Sequence, residues 1–336
     1  MSGCLPQPAP ERDPALDDGV LTPGPVLELG GWHAVARWGG IAILPWRGDH
    51  LAANAAGLSC APLVPERFDG ATALVRVQRG RAATAAAIAS AWAALPLAGE
   101  LAITGANDLG IGSWCERVAA VAGAPLRLVT RAKARVAVFR RHAGPRPELP
   151  ADGQVPFLPS DARLLRAVPG VFSGDGLDEG TRLLLSHLPA LAPASRIADL
   201  GCGMGHLGLA ALTNWPAAVA DLLDADHRAV RSANHNAAML GLTDRCQVHW
   251  WTTNEPIPAS GHDLVLCNPP CHQGTSVDLG VARQLFAVAG AMALPVARLL
   301  VVANRRLPYE ADLARFGRVE SLVETAGFKL LLATRG

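Results

Sequence analysis

The tripeptide Asn268-Pro269-Pro270, which follows the apolar run DLVLC, is the part of the sequence best suited to chemistry. The Asn268 side-chain oxygen and the Pro269 carbonyl can each accept one N–H of a planar amino group attached to a ring. Holding both hydrogens aims the nitrogen at an electrophile and favours localisation of its lone pair. Proline fixes φ and lacks an N–H, which keeps the carbonyl still. The tripeptide therefore predicts an amine-aligning site with Asn268 and Pro269 as its catalytic residues.

A glycine-rich turn lies upstream, in the segment DLGCGMGHLG (residues 199–208). Gly203, Gly205 and Gly208 spell GxGxxG, which by itself fits a dinucleotide pyrophosphate at a helix N-terminus. Asp199 would repel a pyrophosphate, but it can bind the positive amino group of S-adenosylmethionine (SAM), directly or through water. The residues thus favour SAM, with a dinucleotide or no ligand as the alternatives.

Asp224 closes the next apolar segment and predicts a carboxylate that accepts hydrogen bonds from ribose hydroxyls, a role that SAM and dinucleotide sites share. The adenine is expected near residues 250–253. Adjacent strand residues face opposite sides, so at most one of Trp250 and Trp251 can flank the ring, and core packing is expected for each. His206, just after the turn, is expected to be a solvated histidine at a helix start.

Alternating strands and helices must position these residues. In the second half we predict strands at residues 197–200, 218–223, 247–251, 263–267 and 299–303, a hairpin strand at 328–333, and a helix at 227–240. In the first half we predict strands at residues 73–77, 101–104 and 136–139, and helices at 83–95 and 112–121. This alternation indicates parallel α/β sheets, which place ligands beyond the carboxyl ends of their strands.

A proline-rich stretch at residues 141–160 contains five prolines and predicts a connector between two domains, residues 1–150 and 151–336. The halves resemble each other: LAITGAN (101–107) matches RLLVVAN (298–304), and ALVRVQRG (73–80) lies where DLVLCNPP lies. We infer a tandem duplication whose first copy has Gln78-Arg79-Gly80 in place of Asn-Pro-Pro, has no glycine-rich turn and has lost its chemistry. Chance similarity of two α/β domains is the alternative.

Composition limits the partners. The net charge of +1 gives no global attraction to nucleic acid, so RNA binding requires a local patch. The densest basic run consists of Arg131, Lys133, Arg135, Arg140, Arg141 and Arg146. The seven cysteines form no CxxC pair, so we expect reduced thiols and no metal. The N-terminal segment lacks a signal pattern and no run is apolar enough for a membrane span, which predicts a cytoplasmic protein.

The second half resembles the bacterial rRNA guanine-N2 methyltransferases, in particular the small-subunit rRNA methyltransferase C family. The matching stretches are PGVFSGDGLDEGTRLLLSHL (169–188), the glycine turn, NPPCH (268–272), VANRRLPY (302–309) and AGFKLLLA (326–333). The resemblance implies an α/β fold of two tandem Rossmann-like class I SAM-methyltransferase domains, the N-terminal one degenerate and the second with a seven-stranded sheet. It also implies SAM as the methyl donor and a guanine 2-amino group in 16S rRNA, naked or in the small ribosomal subunit, as the acceptor. We expect a monomer.

The resemblance also assigns site residues. Asn268 and Pro269 would bind the substrate amine. Phe172, Ser173 and Asp178 would lie in a segment that covers the entrance to the cofactor or substrate site. The cofactor-binding set is Asp199, Gly201, Gly203, Gly205, Asp224, Thr252 and Asn268. The substrate-binding set is Pro270, Cys271, His272, Phe172, Arg305 and Arg306.

The chain departs from the family at Cys271, where an aromatic residue usually stacks on the target base. Such stacking is worth roughly 1 to 3 kcal/mol per base, so a thiol would hold the base less firmly unless His272 or Phe172 stacks instead. Three other functions are open. They are methylation of guanine N2 in large-subunit rRNA, methylation of a protein glutamine amide (although NPPCH lacks the tyrosine usual there), and RNA binding without catalysis.

Overall fold

The computed structural model describes residues 13–158, 161–270 and 279–336, and the chain divides into two compact units between Ala151 and Asp152. The sequence had predicted a boundary at residue 150. Each unit contains its own seven-stranded sheet. The apolar clusters of the described residues also belong to one unit or the other.

The first unit alternates strands with helices, as the sequence predicted. Its strands are β1 (Val26–Leu29), β2 (Gly40–Ile43), β3 (Cys60–Ala61), β4 (Thr72–Arg76), β5 (Glu100–Ala106), β6 (Arg127–Arg131) and β7 (Ala134–Arg140). Its α-helices are α1 (His33–Trp38), α2 (Arg47–Ala55), α3 (Arg81–Ala94) and α4 (Ile111–Ala122).

The second unit begins with a separate two-stranded hairpin, β8 (Gly153–Pro156) and β9 (Leu164–Ala167). The strands of its main sheet are β10 (Arg196–Leu200), β11 (Val219–Asp224), β12 (Cys246–Trp250), β13 (His262–Cys267), β14 (Ala293–Asn304), β15 (Arg318–Glu324) and β16 (Phe328–Arg335). Its α-helices are α5 (Glu179–His187), α6 (His206–Asn214), α7 (His227–Met239), α8 (Leu279–Met292) and α9 (Glu310–Leu313).

The two sheets have the same topology. Their strand orders are β3-β2-β1-β4-β5-β7-β6 and β12-β11-β10-β13-β14-β16-β15. In both, five strands run parallel and the last two pair antiparallel. The prediction of a parallel sheet is therefore wrong for residues 136–139, because β7 returns as a hairpin with β6. The hairpin strand predicted at 328–333 and the seven strands implied for the second sheet are confirmed.

Helices cover both faces of the second sheet, as the packing of alternate β13 side chains into two different apolar clusters shows. Leu264 and Leu266 pack into one apolar cluster, whereas Val265 and Cys267 pack into another. Alternate residues of a strand face opposite sides of its sheet, so this strand lies in the middle layer of three. Among the described residues, none of the helices has the length and apolar character needed to span a bilayer.

Candidate active site

Adjacent parallel strands bring the glycine turn and the Asn-Pro-Pro tripeptide together. β10 pairs with β13 in a register that places Leu200 beside Cys267. Gly201 and Asn268 are the next residues, so the two loops leave the sheet side by side at its carboxyl edge. Asp224, at the end of β11, lies on the other side of β10 at the same edge.

The glycine turn has the backbone conformation that its composition predicts. Gly201, Gly203 and Gly205 have φ values of 72°, 55° and 94°, in the left-handed region that glycine adopts without strain. Gly208 is needed for a different reason, since a Cβ there would lie 2.7 Å from the Leu222 side chain of β11. Because Gly208 has no Cβ, α6 can pack closely on the sheet.

Two carboxylates flank this turn. Asp199 is 1% exposed, and one of its oxygens accepts from the backbone N–H of Gly208 (2.8 Å). Burial, together with the charge of Asp224, raises the pKa of Asp199 to about 7. Asp224 accepts from the N–H of Gly203 (2.8 Å), and its pKa is raised to about 6, mainly by burial. A pyrophosphate would add negative charge here, whereas the amino and sulfonium cations of SAM would relieve it, so the residues fit SAM.

The segment predicted to face adenine contains one core residue, Trp251, and two half-buried residues, Trp250 and Thr252. Trp251 is buried in the core and donates to the Pro256 carbonyl (2.9 Å), as expected of a packing residue. Trp250 is half-buried and donates to the Ala225 carbonyl (3.0 Å). Thr252 is half-buried, and its backbone N–H donates to Glu255 (3.2 Å), so its hydroxyl is not needed for this turn.

Asn268 is half-buried, Pro269 is buried and Pro270 is exposed. The Asn268 amide nitrogen donates to Asp178 Oδ2 (3.0 Å) and to Thr181 Oγ1 (2.9 Å). The sequence had placed Asp178 in an entrance segment, but it gave no role to Thr181. The signal was present in LDEGT, where an Asp precedes a helix start and a Thr stands three residues later.

The segment before α5 presents an aromatic side chain to solvent. Phe172 is 70% exposed, the adjacent Ser173 has a φ of 57°, and Asp178 at the end of this segment contacts Asn268. Cys271 and His272, which the sequence assigned to substrate binding, lie outside the described residues. Among the residues that the structure describes, no group of His, Cys, Asp and Glu side chains could hold a metal ion.

Arg305 and Arg306 are exposed and follow β14, the neighbour of β13, at the same carboxyl edge. Arg305 lies 3.4 Å from Glu324, while the backbone N–H of Arg306 donates to Asn304 Oδ1. The basic run of the first unit lies largely on the β6–β7 hairpin. Within the described ranges, Arg131 forms an ion pair with Asp17, and Arg140 forms one with Glu100.

The β8–β9 hairpin covers the glycine turn through residues that the sequence did not identify. Asn236 of α7 is fully buried, exchanges two hydrogen bonds with the Arg166 backbone and donates to the Met204 carbonyl of the turn. His206 lies 3.1 Å from the Pro156 carbonyl. The prediction of a solvated His206 is wrong, since this residue is buried and its pKa is lowered mainly by burial.

The first unit has a different set of side chains at the corresponding place. Leu29 of β1 pairs with Val75 of β4, as Leu200 pairs with Cys267, so Glu28 corresponds to Asp199 and Arg76 to Asn268. The Arg76 guanidinium contacts Glu28 (2.8 Å) and Asp13, and all three side chains are buried.

This correspondence changes one detail of the sequence comparison. The sequence match places Gln78 opposite Asn268, whereas the register of β1 and β4 gives that place to Arg76, two residues earlier. The first copy also has a glycine, Gly30 with a φ of 81°, where Gly201 follows β10, but it lacks the GxGxG pattern of residues 201–205.

Comparison with known proteins fits this architecture. The Methyltransferase small domain family matches residues 163–332. The Ribosomal RNA small subunit methyltransferase C of Pseudomonas aeruginosa (strain LESB58) is 34% identical over 275 residues, which cover 79% of each chain. The chain belongs to this rRNA methyltransferase family.

Another branch of the family matches in part. The Ribosomal RNA large subunit methyltransferase G of Ectopseudomonas mendocina is 42% identical over 167 residues, 49% of this chain but only 44% of that relative. The chain thus spans less than half the length of this relative.

The solved 16S rRNA N2 methyltransferase of T. thermophilus, in complex with AdoMet and guanosine, has a TM-score of 0.80 at 23% identity, over 94% of this chain and 90% of that one. The predicted fold of two Rossmann-like methyltransferase domains is confirmed, and the predicted cofactor SAM agrees with the family.

Proposed function

We propose that this chain transfers the methyl group of SAM to the 2-amino group of a guanosine in 16S rRNA. The observation that supports this proposal best is the register of β10 and β13. Leu200 and Cys267 are paired, so the cofactor loop and the amine-holding loop start on neighbouring strands, which lie about 4.8 Å apart. A donor held by one loop and an acceptor held by the other would be within reach of each other.

The cofactor-binding role rests on charge. In the proposed complex Asp199 and Asp224 face the positive amino group and the ribose, Gly201, Gly203 and Gly205 line the turn, and Thr252 lies near the adenine. When bound, SAM supplies a methyl group already activated by its positive sulfonium. The protein therefore needs no strong acid or base, and alignment supplies most of the acceleration.

The acceptor role rests on Asn268 and Pro269, whose oxygens would each accept one N–H of the guanine amine. Further substrate contacts are proposed for Pro270, Cys271, His272, Phe172, Arg305 and Arg306. The exposed Phe172 ring suits stacking on an unpaired base. Arg306 suits a phosphate contact better than Arg305, which already lies near Glu324.

Small-subunit rRNA is the favoured substrate because the similarity to the small-subunit methyltransferase C extends over 79% of both chains. The large-subunit methyltransferase G relatives cover less: one is 42% identical over 49% of this chain, and that of Shewanella amazonensis is 32% identical over 71% of this chain and 62% of that relative. Guanine N2 of large-subunit rRNA is therefore the second candidate.

The test is methyl transfer from tritiated SAM to separate samples of 16S rRNA, 23S rRNA, 30S and 50S subunits, and release factor. We expect label in 16S rRNA or 30S subunits, recovered as N2-methylguanosine by nucleoside mass spectrometry. Label in 23S rRNA or 50S subunits would favour the second candidate. Label in protein would contradict both.

Asn268→Ala is expected to abolish transfer while leaving the SAM dissociation constant within about threefold, because the amide holds the acceptor. Calorimetric titration with SAM measures the second quantity. Asn234→Ala is the matched control, since Asn234 is exposed on α7 and, within the part of the chain that the structure describes, its side chain hydrogen-bonds only to the Val230 carbonyl of its own helix. Full activity of Asn268→Ala would remove the chemical basis of the proposal.

A further inference from the structure

We propose that Asp178 and Thr181 are positioning residues that fix the rotation of the Asn268 amide, so that its oxygen faces the acceptor amine. The inference rests on the proposed function, since it explains how Asn268 does its work. The Asn268 amide nitrogen lies 3.0 Å from Asp178 Oδ2 and 2.9 Å from Thr181 Oγ1. Both residues come from the start of α5, about 90 residues earlier in the chain.

The chemistry of the two partners decides which way the amide points. The oxygen and nitrogen of an asparagine amide have nearly the same shape, so shape alone does not distinguish the two rotations. An ionised carboxylate can only accept a hydrogen bond. The amide atom facing Asp178 must therefore be the nitrogen, and Thr181 accepts its second hydrogen.

Both N–H groups of Asn268 are thus occupied. Its Oδ1 has no hydrogen bond to any of the described residues and is the polar atom available to a ligand. In the opposite rotation the amide oxygen would face the Asp178 carboxylate, and the NH2 group would face the substrate amine. Both contacts would be repulsive. The pair therefore keeps the amide in the one rotation that can accept an N–H from guanine.

A rigid element holds the two partners. Asp178 is the N-cap of α5, and the Oδ2 atom that meets Asn268 also accepts from the backbone N–H of Thr181 (2.9 Å). Thr181 is buried in the first turn of this helix. A Cβ at Gly180 would lie 3.1 Å from Asp178 Oδ2 and 3.2 Å from the Phe328 ring, so glycine lets β16 pack against the cap. The packing of α5 against β16 and against the loop after β13 therefore fixes the rotation of the Asn268 amide.

Thr181→Val and Thr181→Ser form the deciding pair. Valine has nearly the same shape as threonine but cannot accept a hydrogen bond, whereas serine keeps the hydroxyl. We expect Thr181→Val to lower kcat about tenfold, the equivalent of about 1.4 kcal/mol, with the SAM dissociation constant and Tm unchanged. Thr181→Ser should restore kcat to within about twofold of the wild type. Wild-type kcat in the valine variant, or equal losses in both variants, would overturn the role of Thr181.

Asp178→Ala and Asp178→Asn test the second partner. Alanine removes both the cap and the acceptor, so we expect kcat to fall on the order of 100-fold, with a lower Tm from loss of the cap. Asparagine can place an oxygen where Oδ2 lies and keep both bonds, so its kcat should be at least tenfold above that of the alanine variant. Equal kcat in the two variants would overturn the role of Asp178.

A measurement that does not depend on catalysis completes the test. Hydrogen exchange of the Asn268 side-chain amide, identified by its NMR signals missing from Asn268→Ala, should be slow in the wild type and faster in Thr181→Val. Equal exchange would overturn the inference while leaving the proposed function in place. If instead Asn268→Ala methylates RNA normally, the proposed function fails first.

Discussion

At the scale of single residues, Asp199 is a buried carboxyl group whose ionisation opposes folding. A buried carboxylate whose pKa is raised to about 7 favours the protonated form in the free protein, so ionising it near neutral pH costs stability. Its contribution to stability is present below the unfolded pKa, near 3.9, and is lost as pH rises through about 7. A cation bound beside the Asp199 carboxylate would stabilise its ionised form and so offset the cost of ionising it.

Asp199→Asn should therefore stabilise the free protein and prevent SAM binding. The amide oxygen can still accept from Gly208, while the ionisable group is gone. We expect the Tm of the variant to exceed that of the wild type at pH 8, and the difference to shrink at pH 5.5, where the wild-type carboxyl is largely protonated. Differential scanning calorimetry at the two pH values checks this, and a gain that grows at low pH would refute the cause.

At the scale of structural elements, the two sheets share one topology but differ at the carboxyl ends of their equivalent strands. After β13, the Asn268 amide nitrogen contacts Asp178 and Thr181; at the end of β4, Arg76 contacts Glu28 and Asp13. Asp13 also caps a short helix, accepting from the N–H of Ala15 (3.0 Å), as Asp178 caps α5. This repetition supports duplication more strongly than the sequence match did.

Arg76→Met should destabilise the protein by about 3 to 5 kcal/mol, because two buried carboxylates lose their counter-ion. Arg37→Met is the matched control, since the Arg37–Asp18 pair is largely exposed and is expected to contribute less than about 1 kcal/mol. Urea denaturation of the full chain measures both. Similar losses in the two variants would show that the buried ion triad has no special part in stability.

At the scale of the whole molecule, the chain carries two copies of a SAM-type fold and, on our proposal, one functional cofactor site. In the first copy, the Arg76 side chain lies 2.8 Å from Glu28, the counterpart of Asp199. The second copy leaves Asp199 and Asp224 without a basic side chain between them among the hydrogen bonds and ion pairs of the described residues.

Calorimetric titration should give one SAM bound per chain, and Asp199→Asn should remove all of this binding. Titration of Arg76→Met shows which unit binds, because Arg76 lies in the first unit and the expected site lies in the second. If this variant remains folded, it should also bind one SAM per chain. A stoichiometry of two, or half of the binding left in Asp199→Asn, would show that the first unit is a second cofactor site.

The glycine turn and the Asn-Pro-Pro loop could be predicted from the sequence because their residue patterns are local. Left-handed turns demand glycine at Gly201, Gly203 and Gly205, and an apolar strand ending in Asn268 is visible without any partner. The central strands of the second sheet were found for the same reason, since burial on both faces requires continuous apolar runs. In the first sheet β1, β2 and β3 were missed, although β1 lies in the middle of that sheet, and the buried Glu28 interrupts its apolar run. The strands β6 and β15 were missed because they lie at sheet edges, where polar side chains are tolerated.

The sequence by itself determined the fold class, the glycine turn and the position of the Asn-Pro-Pro tripeptide at a strand end, because each depends on residues adjacent in the chain. Only the tertiary structure decided what surrounds them. Strand register put Asn268 beside Gly201 and Arg76 beside Glu28, and α5 brought Asp178 and Thr181 to the Asn268 amide. Contacts between residues some 50 to 90 positions apart depend on how strands pair and helices pack, which no local pattern encodes.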